Sequence, residues 1–424
     1  MSIQRFAVAW ILASALVPAL QAGENWPGWR GPTGMGQSDE KDLPLSWEGK
    51  TKKNLRWKTA LFPSDTVRPD QNQSSPIVWG DSVFVTVSYW RATAGEGEYP
   101  EHRVMCFASD DGTKQWDVKI APGPWKLTDL RGGYTAPTPA CDGQRVYVVF
   151  GSAVIAAVNL RGKLVWRKEI TPHAFDVAIG ASPVLFKDTV LFDSAMSRGS
   201  NLRAYDAATG ALKWQKERPK DDWAHSTPAL ATIAGKTQLL VAASGGPQGV
   251  DPATGEPIWW YRTGDRLGDT VTPVLAAGLV YVDSGRGSPG IAIDPSGAGD
   301  VTKSQVKWSV KNVPDGFSSP VVVGDYLYRL HAPGVISCWK AATGEQVYKE
   351  RLEGVDPAVS PIATADGRIY CASAGRSYVL KAGPTFEVLG RGELNDASRA
   401  SPAVAAGCVY LKGSRYLYCV GVPN

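Results

Sequence analysis

Residues 205–214 read YDAATGALKW, residues 250–259 read VDPATGEPIW, and residues 339–348 read WKAATGEQVY. An acid or polar residue opens each phrase, Thr-Gly closes a turn, and an aromatic follows the Gly by four positions. The same gap separates Gly112 from Trp116 and Gly162 from Trp166. Gly supplies positive φ and Asp bonds the backbone just ahead of it, so the phrase reads as a tight hairpin turn feeding a strand.

A second phrase runs out of phase with the first: Ser or Thr, then Pro, then a short β-prone run. Its prolines are Pro76, Pro139, Pro183, Pro228, Pro273, Pro320, Pro361 and Pro402, spaced by 63, 44, 45, 45, 47, 41 and 41 residues. A period of about 40–45 residues is that of a four-stranded propeller blade, and the long first interval carries an insertion. The sixth unit shows the pattern: strand A over 319–323, a Gly-Asp turn, B over 326–331, a Pro-Gly turn, C over 335–340, and D over 345–351. With 45 Gly and 30 Pro, and no long 3.6-residue periodicity, helices are not expected. The fold expected is all-β, an eight-bladed β-propeller of four-stranded antiparallel blades.

The eighth unit has only three strands before the chain ends. Residues 54–60, NLRWKTA, look like a fourth strand without a blade, so the last blade is expected to be closed by this N-terminal strand, which removes the ring's open seam. One ring per blade (Trp57, Trp116, Trp166, Trp214, Trp259, Trp308 and Tyr348) is assigned to filling the wedge between blades. Pro at each strand A fits an innermost strand, where a missing N–H breaks no ladder bond.

Residues 1–22 combine Arg5, a short apolar run broken by Pro18, and small residues at Ala19 and Ala22, as a cleaved secretory signal does; an uncleaved anchor is the alternative. The organisation expected is a signal peptide over 1–22, an N-terminal arm over 23–53 and the propeller over 54–424, in an exported protein of the periplasm or cell envelope. Losing the signal changes the net charge only from +4 to +3, which favours neither nucleic acid nor an anionic membrane as partner.

The A-x-D-x-x-T-G-x-x-x-W phrase resembles the pyrroloquinoline-quinone-like (PQQ-like) repeat, found in quinoprotein dehydrogenases and in the propeller of the outer-membrane assembly machinery. The segment over 25–36, NWPGWRGPTGMG, is similar to the start of exported members of that family. In the dehydrogenases the resemblance implies a quinone held over two adjacent cysteines beside a Ca²⁺ set. The six cysteines here, Cys106, Cys141, Cys338, Cys371, Cys408 and Cys419, include no adjacent pair, and no C-x-x-C-H haem site occurs. Neither catalytic nor metal residues are assigned, and no cofactor is expected; PQQ enters only under the dehydrogenase alternative.

Other motifs are read as structure. The G-x-G-x-x-G at 285–290 precedes a further strand, not the helix a dinucleotide loop needs, so it is a B–C turn. His102, His173, His225 and His331 fall in separate blades. Cys408 and Cys419 would face each other if Gly413-Ser414 were a two-residue turn, with reduced packed thiols as the alternative.

The D–A connections are the longest and least regular, so binding is expected there. An Asp recurs in every one (Asp70, Asp129, Asp176, Asp222, Asp269, Asp315, Asp356 and Asp396) and is read as a loop cap. The unrepeated Arg68, Trp125, Arg131, Tyr134, His225, Arg266, Phe317 and Arg399 are the candidate binding face. The function expected is a monomeric, non-catalytic binding or scaffold propeller for another envelope protein. A quinoprotein dehydrogenase and a carbohydrate or peptide receptor are the alternatives.

Overall fold

Strands hydrogen-bonded in chain order make eight small antiparallel sheets in a ring, the expected eight-bladed propeller. The computed structural model describes residues 25–422 apart from 96, 172–173, 175–176, 178, 196–198, 219–222, 263–266, 268 and 288. The proposed signal over 1–22, together with His173, Asp176, Asp222 and Arg266, lies outside the described residues.

Blade six runs Val321–Val323, Tyr326–His331, Val335–Lys340 and Gln346–Arg351, within two residues of the expected bounds. Blade eight contains Ala403–Ala405, Cys408–Lys412 and Tyr416–Gly421, and Leu55–Ala60 completes it, with Trp57 opposite Cys419 and Lys58 opposite Tyr418. Its outer strand therefore comes from the other end of the chain.

The recurring T-G-x-x-x-W phrase holds neighbouring blades together. The C–D turn glycine of one blade sits on the strand D tryptophan of the blade before it. Gly112 faces Trp57, Gly162 faces Trp116, Gly210 faces Trp166, Gly255 faces Trp214 and Gly344 faces Trp308. The indole N–H then reaches a backbone carbonyl next door: Trp57 to Ser109, Trp116 to Leu160, Trp166 to Ala207 and Trp308 to Ala341, at 2.9–3.1 Å. Trp259 differs, donating to Gln238 of its own blade. The turn's Asp does the capping expected of it, as when Asp206 Oδ1 accepts the Thr209 N–H at 2.9 Å.

Two glycines of blade six separate the reasons for Gly. Gly344 has φ +71° and a Cβ there would lie 2.4 Å from the Trp308 ring; Gly324 has φ +55° and nothing within 4 Å. Gly324→Ala should therefore cost only the left-handed backbone term, about 1 kcal/mol. Gly344→Ala adds overpacking against an indole and should cost about 2–4 kcal/mol. Equal denaturant midpoints for the two variants would reject the docking role.

The Ser/Thr before each proline has a role that the Pro alone did not reveal. Around the channel the N–H of one such residue donates to the hydroxyl of the next blade's: Ser75 to Thr138, Thr138 to Ser182 and Ser182 to Thr227, then Thr272 to Ser319, Ser319 to Ser360, Ser360 to Ser401 and Ser401 back to Ser75. These bonds measure 2.9–3.2 Å. Pro follows because the next N–H lies at the channel, while the hydroxyl one position earlier ties blade to blade.

The segment before the clasp closes the channel from the A–B end. Trp26 exchanges backbone bonds with Val78 of blade one, and Pro27 O accepts the Cys141 N–H of blade two. Gly34 lies against Ala229 of blade four, and the Trp29 indole donates to Thr272 Oγ1 of blade five at 3.2 Å. Gln37, Ser38 and Glu40 reach blades six, seven and eight. Arg30 is 1% exposed, its guanidinium bonded to the carbonyls of Pro320 and Pro361. Farther on, Trp47–Glu48 adds a parallel fifth strand to blade seven, with the indole pressed on Gly392. Blade seven's own strand D, Val388–Glu393, has no aromatic, so Trp47 supplies a large ring where the repeat has none.

One register differs from expectation. Cys419 stands opposite Tyr410, and Cys408 opposite Gly421, because the B–C connection spans four residues, 413–416, between paired Lys412 and Leu417. The Asp396 carboxylate gathers the N–H groups of Ser414, Arg415 and Tyr416, which holds this wider loop.

At the seam between blades eight and one, Lys412 is fully buried and donates to Ser74 Oγ at 2.6 Å and to the Thr86 carbonyl at 3.1 Å. Burial pulls its ammonium down from 10.5 to about 7, with Asp70 opposing the shift. The unfolded chain then binds more protons than the folded one between pH 7 and 10.5, so this group's contribution to stability rises with pH across that window and is lowest below 7. Lys412→Met should remove that rise. A wild-type minus variant stability difference that stays constant from pH 6.5 to 9.5 would contradict it.

Candidate functional site

The opposite end of the plugged channel is a cup of about 620 Å³, within the usual range for ligand pockets. Trp29 and Thr227 line both this cup and a space of about 70 Å³ on the arm side. D–A loops and one B–C loop form the wall.

One element of the wall is centred on Asp269, whose side chain is 1% exposed. Its Oδ1 accepts the His225 backbone N–H at 3.0 Å and its Oδ2 meets His225 Nδ1 at 2.7 Å. Arg286 approaches the same Oδ2 at 3.8 Å and lies over the Phe317 ring, 5.1 Å from its centroid. A carboxylate held at both oxygens by one residue fixes that residue's ring: in the neutral imidazole Nδ1 carries the proton donated to Asp269, and Nε2 is the acceptor. Asp269 thus does more than cap its loop, because it sets His225 and Arg286 side by side.

Arg131 and Arg399 complete the cationic lining, against Asp269 as the only lining carboxylate among the described residues. Both are largely exposed, Arg131 bonded to Asp129 and Arg399 3.7 Å from Asp356. Exposed pairs of this kind hold weakly, so a ligand carboxylate competes for either arginine. Phe317 is 45% exposed at the rim, an apolar contact between cations.

Of the eight expected binding-face residues, Arg131, His225, Phe317 and Arg399 line the cup. Tyr134 does not: it is 4% exposed, its hydroxyl accepts the Leu127 N–H, and its ring packs between Trp90, Tyr99 and His102. Arg68 lies over the Trp90 ring in a short strand at the edge of blade one, away from the lining. Trp125 is half-buried against the cores of blades one to three. The expectation passed over Trp29, Trp223, Asp269 and Arg286. Arg286 belongs to the G-x-G-x-x-G stretch, which does connect two strands, Leu279–Val282 and Gly290–Ile293.

Residues 100–328 and 297–383 match the family model described as outer membrane protein assembly factor BamB. The chain belongs to that PQQ-like, BamB-type family. The crystal structure of BamB from Moraxella catarrhalis is similar with a TM-score of 0.58 at 14% identity, covering 87% of this chain and 98% of that one. A europium-containing methanol dehydrogenase gives 0.55 at 12% identity, covering 92% and 89%. The computationally designed Ika8 protein gives 0.57 at 11%, covering 87% and 99%. At these identities the likeness is one of fold, which BamB-type, enzymatic and designed propellers share. No curated protein matches the chain.

The cup does not fit the quinone chemistry of the enzymatic members. All six cysteines are buried in the blades and none lines the cup. Among the described residues the one lining carboxylate, Asp269, is engaged by His225, and no group of three His, Cys, Asp or Glu could hold a metal ion.

Proposed function

We propose that this BamB-type propeller is an exported scaffold that binds another envelope protein through its D–A end, without catalysis and without a cofactor. One observation carries the reading: with one end of the channel closed by the chain's own arm, the other end is an open cup whose lining holds Arg131, Arg286 and Arg399, with Arg286 over the exposed Phe317 ring. Arginines beside an exposed ring are typical anchors of a protein interface, and the charge favours an acidic partner segment. The composition of residues 1–22 and the family's description support export to the envelope.

A photo-crosslinking residue in place of Phe317 should trap one envelope partner, whereas the same residue in place of Lys340, at the end of strand C beside the C–D turn, should not. Arg131→Ala with Arg399→Ala should weaken that partner's binding by about 2–4 kcal/mol while the melting temperature barely moves. Trapping from Lys340 alone, or binding unchanged in the double variant, would put the interface elsewhere.

A further inference from the structure

We infer that Cys408 and Cys419 are a reversible disulfide site that cross-links strands B and C of blade eight beside the clasp strand. Both thiols are buried and unbonded to any other cysteine. Cys419 and Gly421 share a face of strand C, and Cys408 stands opposite Gly421, so the two cysteines are diagonal neighbours on that face. The Cys408 sulfur leans across the sheet: a Cβ at Gly421 would lie 2.9 Å from it and 2.5 Å from Arg56 Nε. Only Gly at 421 leaves room for this approach. The ionisation of each thiol is shifted most by a hydrogen-bond interaction with the other.

Their roles in the exchange are unequal. The hydrogen bond from Cys419, with the charge of Arg56, brings the Cys408 thiol down to about 7, while the same bond and burial push Cys419 upward. The Cys408 thiolate is the attacking group. It displaces one thiolate from a disulfide oxidant, such as glutathione disulfide, to give a mixed disulfide. Cys419 then attacks the Cys408 sulfur and releases the second thiolate. The protein loses two electrons and two protons, and the oxidant gains both as two thiols.

Access comes from the clasp. Trp57 pairs with Cys419, and the chain carrying it is the only strand of blade eight not contiguous with the others. Oxidation therefore precedes clasp closure or requires it to lift.

The test equilibrates the purified full chain with glutathione disulfide, then unfolds it in an alkylating agent and maps the peptides. The expected product is a Cys408–Cys419 cystine, with Cys106, Cys141, Cys338 and Cys371 alkylated, and a melting temperature higher by ~2–4 °C. Trp57→Ala should form the cystine at least tenfold faster. Complete alkylation of both cysteines, in the wild type and in Trp57→Ala alike, would overturn the inference, as would a cystine between any other pair.

Discussion

A chain beginning at Thr59 should lose its single cooperative unfolding transition. It lacks Trp26, Trp47 and Trp57, which are 1%, 2% and 8% exposed. Removing a buried Trp costs about 3–5 kcal/mol, so the three together approach the 5–15 kcal/mol of a whole domain. It also bares Tyr416–Gly421 as an unpaired edge. Calorimetry should show a broadened or absent transition, and amide exchange should lose protection first over 403–421. A second chain beginning at Lys52 keeps the clasp strand and loses the plug, so it should retain the transition at a lower temperature. Sharp, unshifted melting of the chain starting at Thr59 would mean that the ring needs no clasp.

Asp283→Ala should be the most damaging single substitution, at about 3–5 kcal/mol. Asp283 and Arg329 are both 0% exposed, joined by Nε and Nη2 bonds of 3.0–3.2 Å, and Tyr281 donates its hydroxyl to the same carboxylate at 2.9 Å. Truncating the acid leaves a buried guanidinium without its counter-ion. Arg30 would feel it, since the charge of Arg329, added to burial, already lowers the Arg30 guanidinium to about 9. The variant should therefore loosen the plug, raising amide exchange over 26–37 more than elsewhere. Asp283→Leu combined with Arg329→Met removes both charges and should recover most of the loss. A double variant as unstable as Asp283→Ala would show that packing, not charge, was at stake.

The blades were legible because each is written in local rules. Turn glycines, capping acids and prolines report backbone needs within four or five residues, and eight repeats make the period visible. The clasp was legible by counting strands, since a three-stranded last unit requires a fourth. The plug was not. Trp29 and Arg30 make contacts more than 240 residues away in sequence, at Thr272, Pro320 and Pro361, through no periodic pattern. Trp47 was hidden for the opposite reason: it fills a gap that the sequence shows only as Gly390 and Gly392, two unremarkable glycines. In the cup, Arg131, His225, Phe317 and Arg399 stood out as exceptions within their loops. Asp269 looked like every other loop Asp, and Arg286 like part of a turn, because what distinguishes them is their contact with each other and with neighbouring loops, Asp269 with His225 and Arg286 with Phe317. Tyr134 misled since an aromatic in a long loop can fold inward as readily as outward.

The plug and clasp also set an order of assembly. Residues 25–60 are synthesised before any blade, yet their contacts lie at the A–B ends of blades one, two and four to eight and at the edge of blade eight. Their docking site is incomplete until the last strand has been made. The earliest residues must stay extended while some 360 others fold beside them, and closing so long a loop is slow. Until then, four tryptophans and an open sheet edge remain exposed, a demand for escort by a holding chaperone that a ring built without interlocking ends would not make.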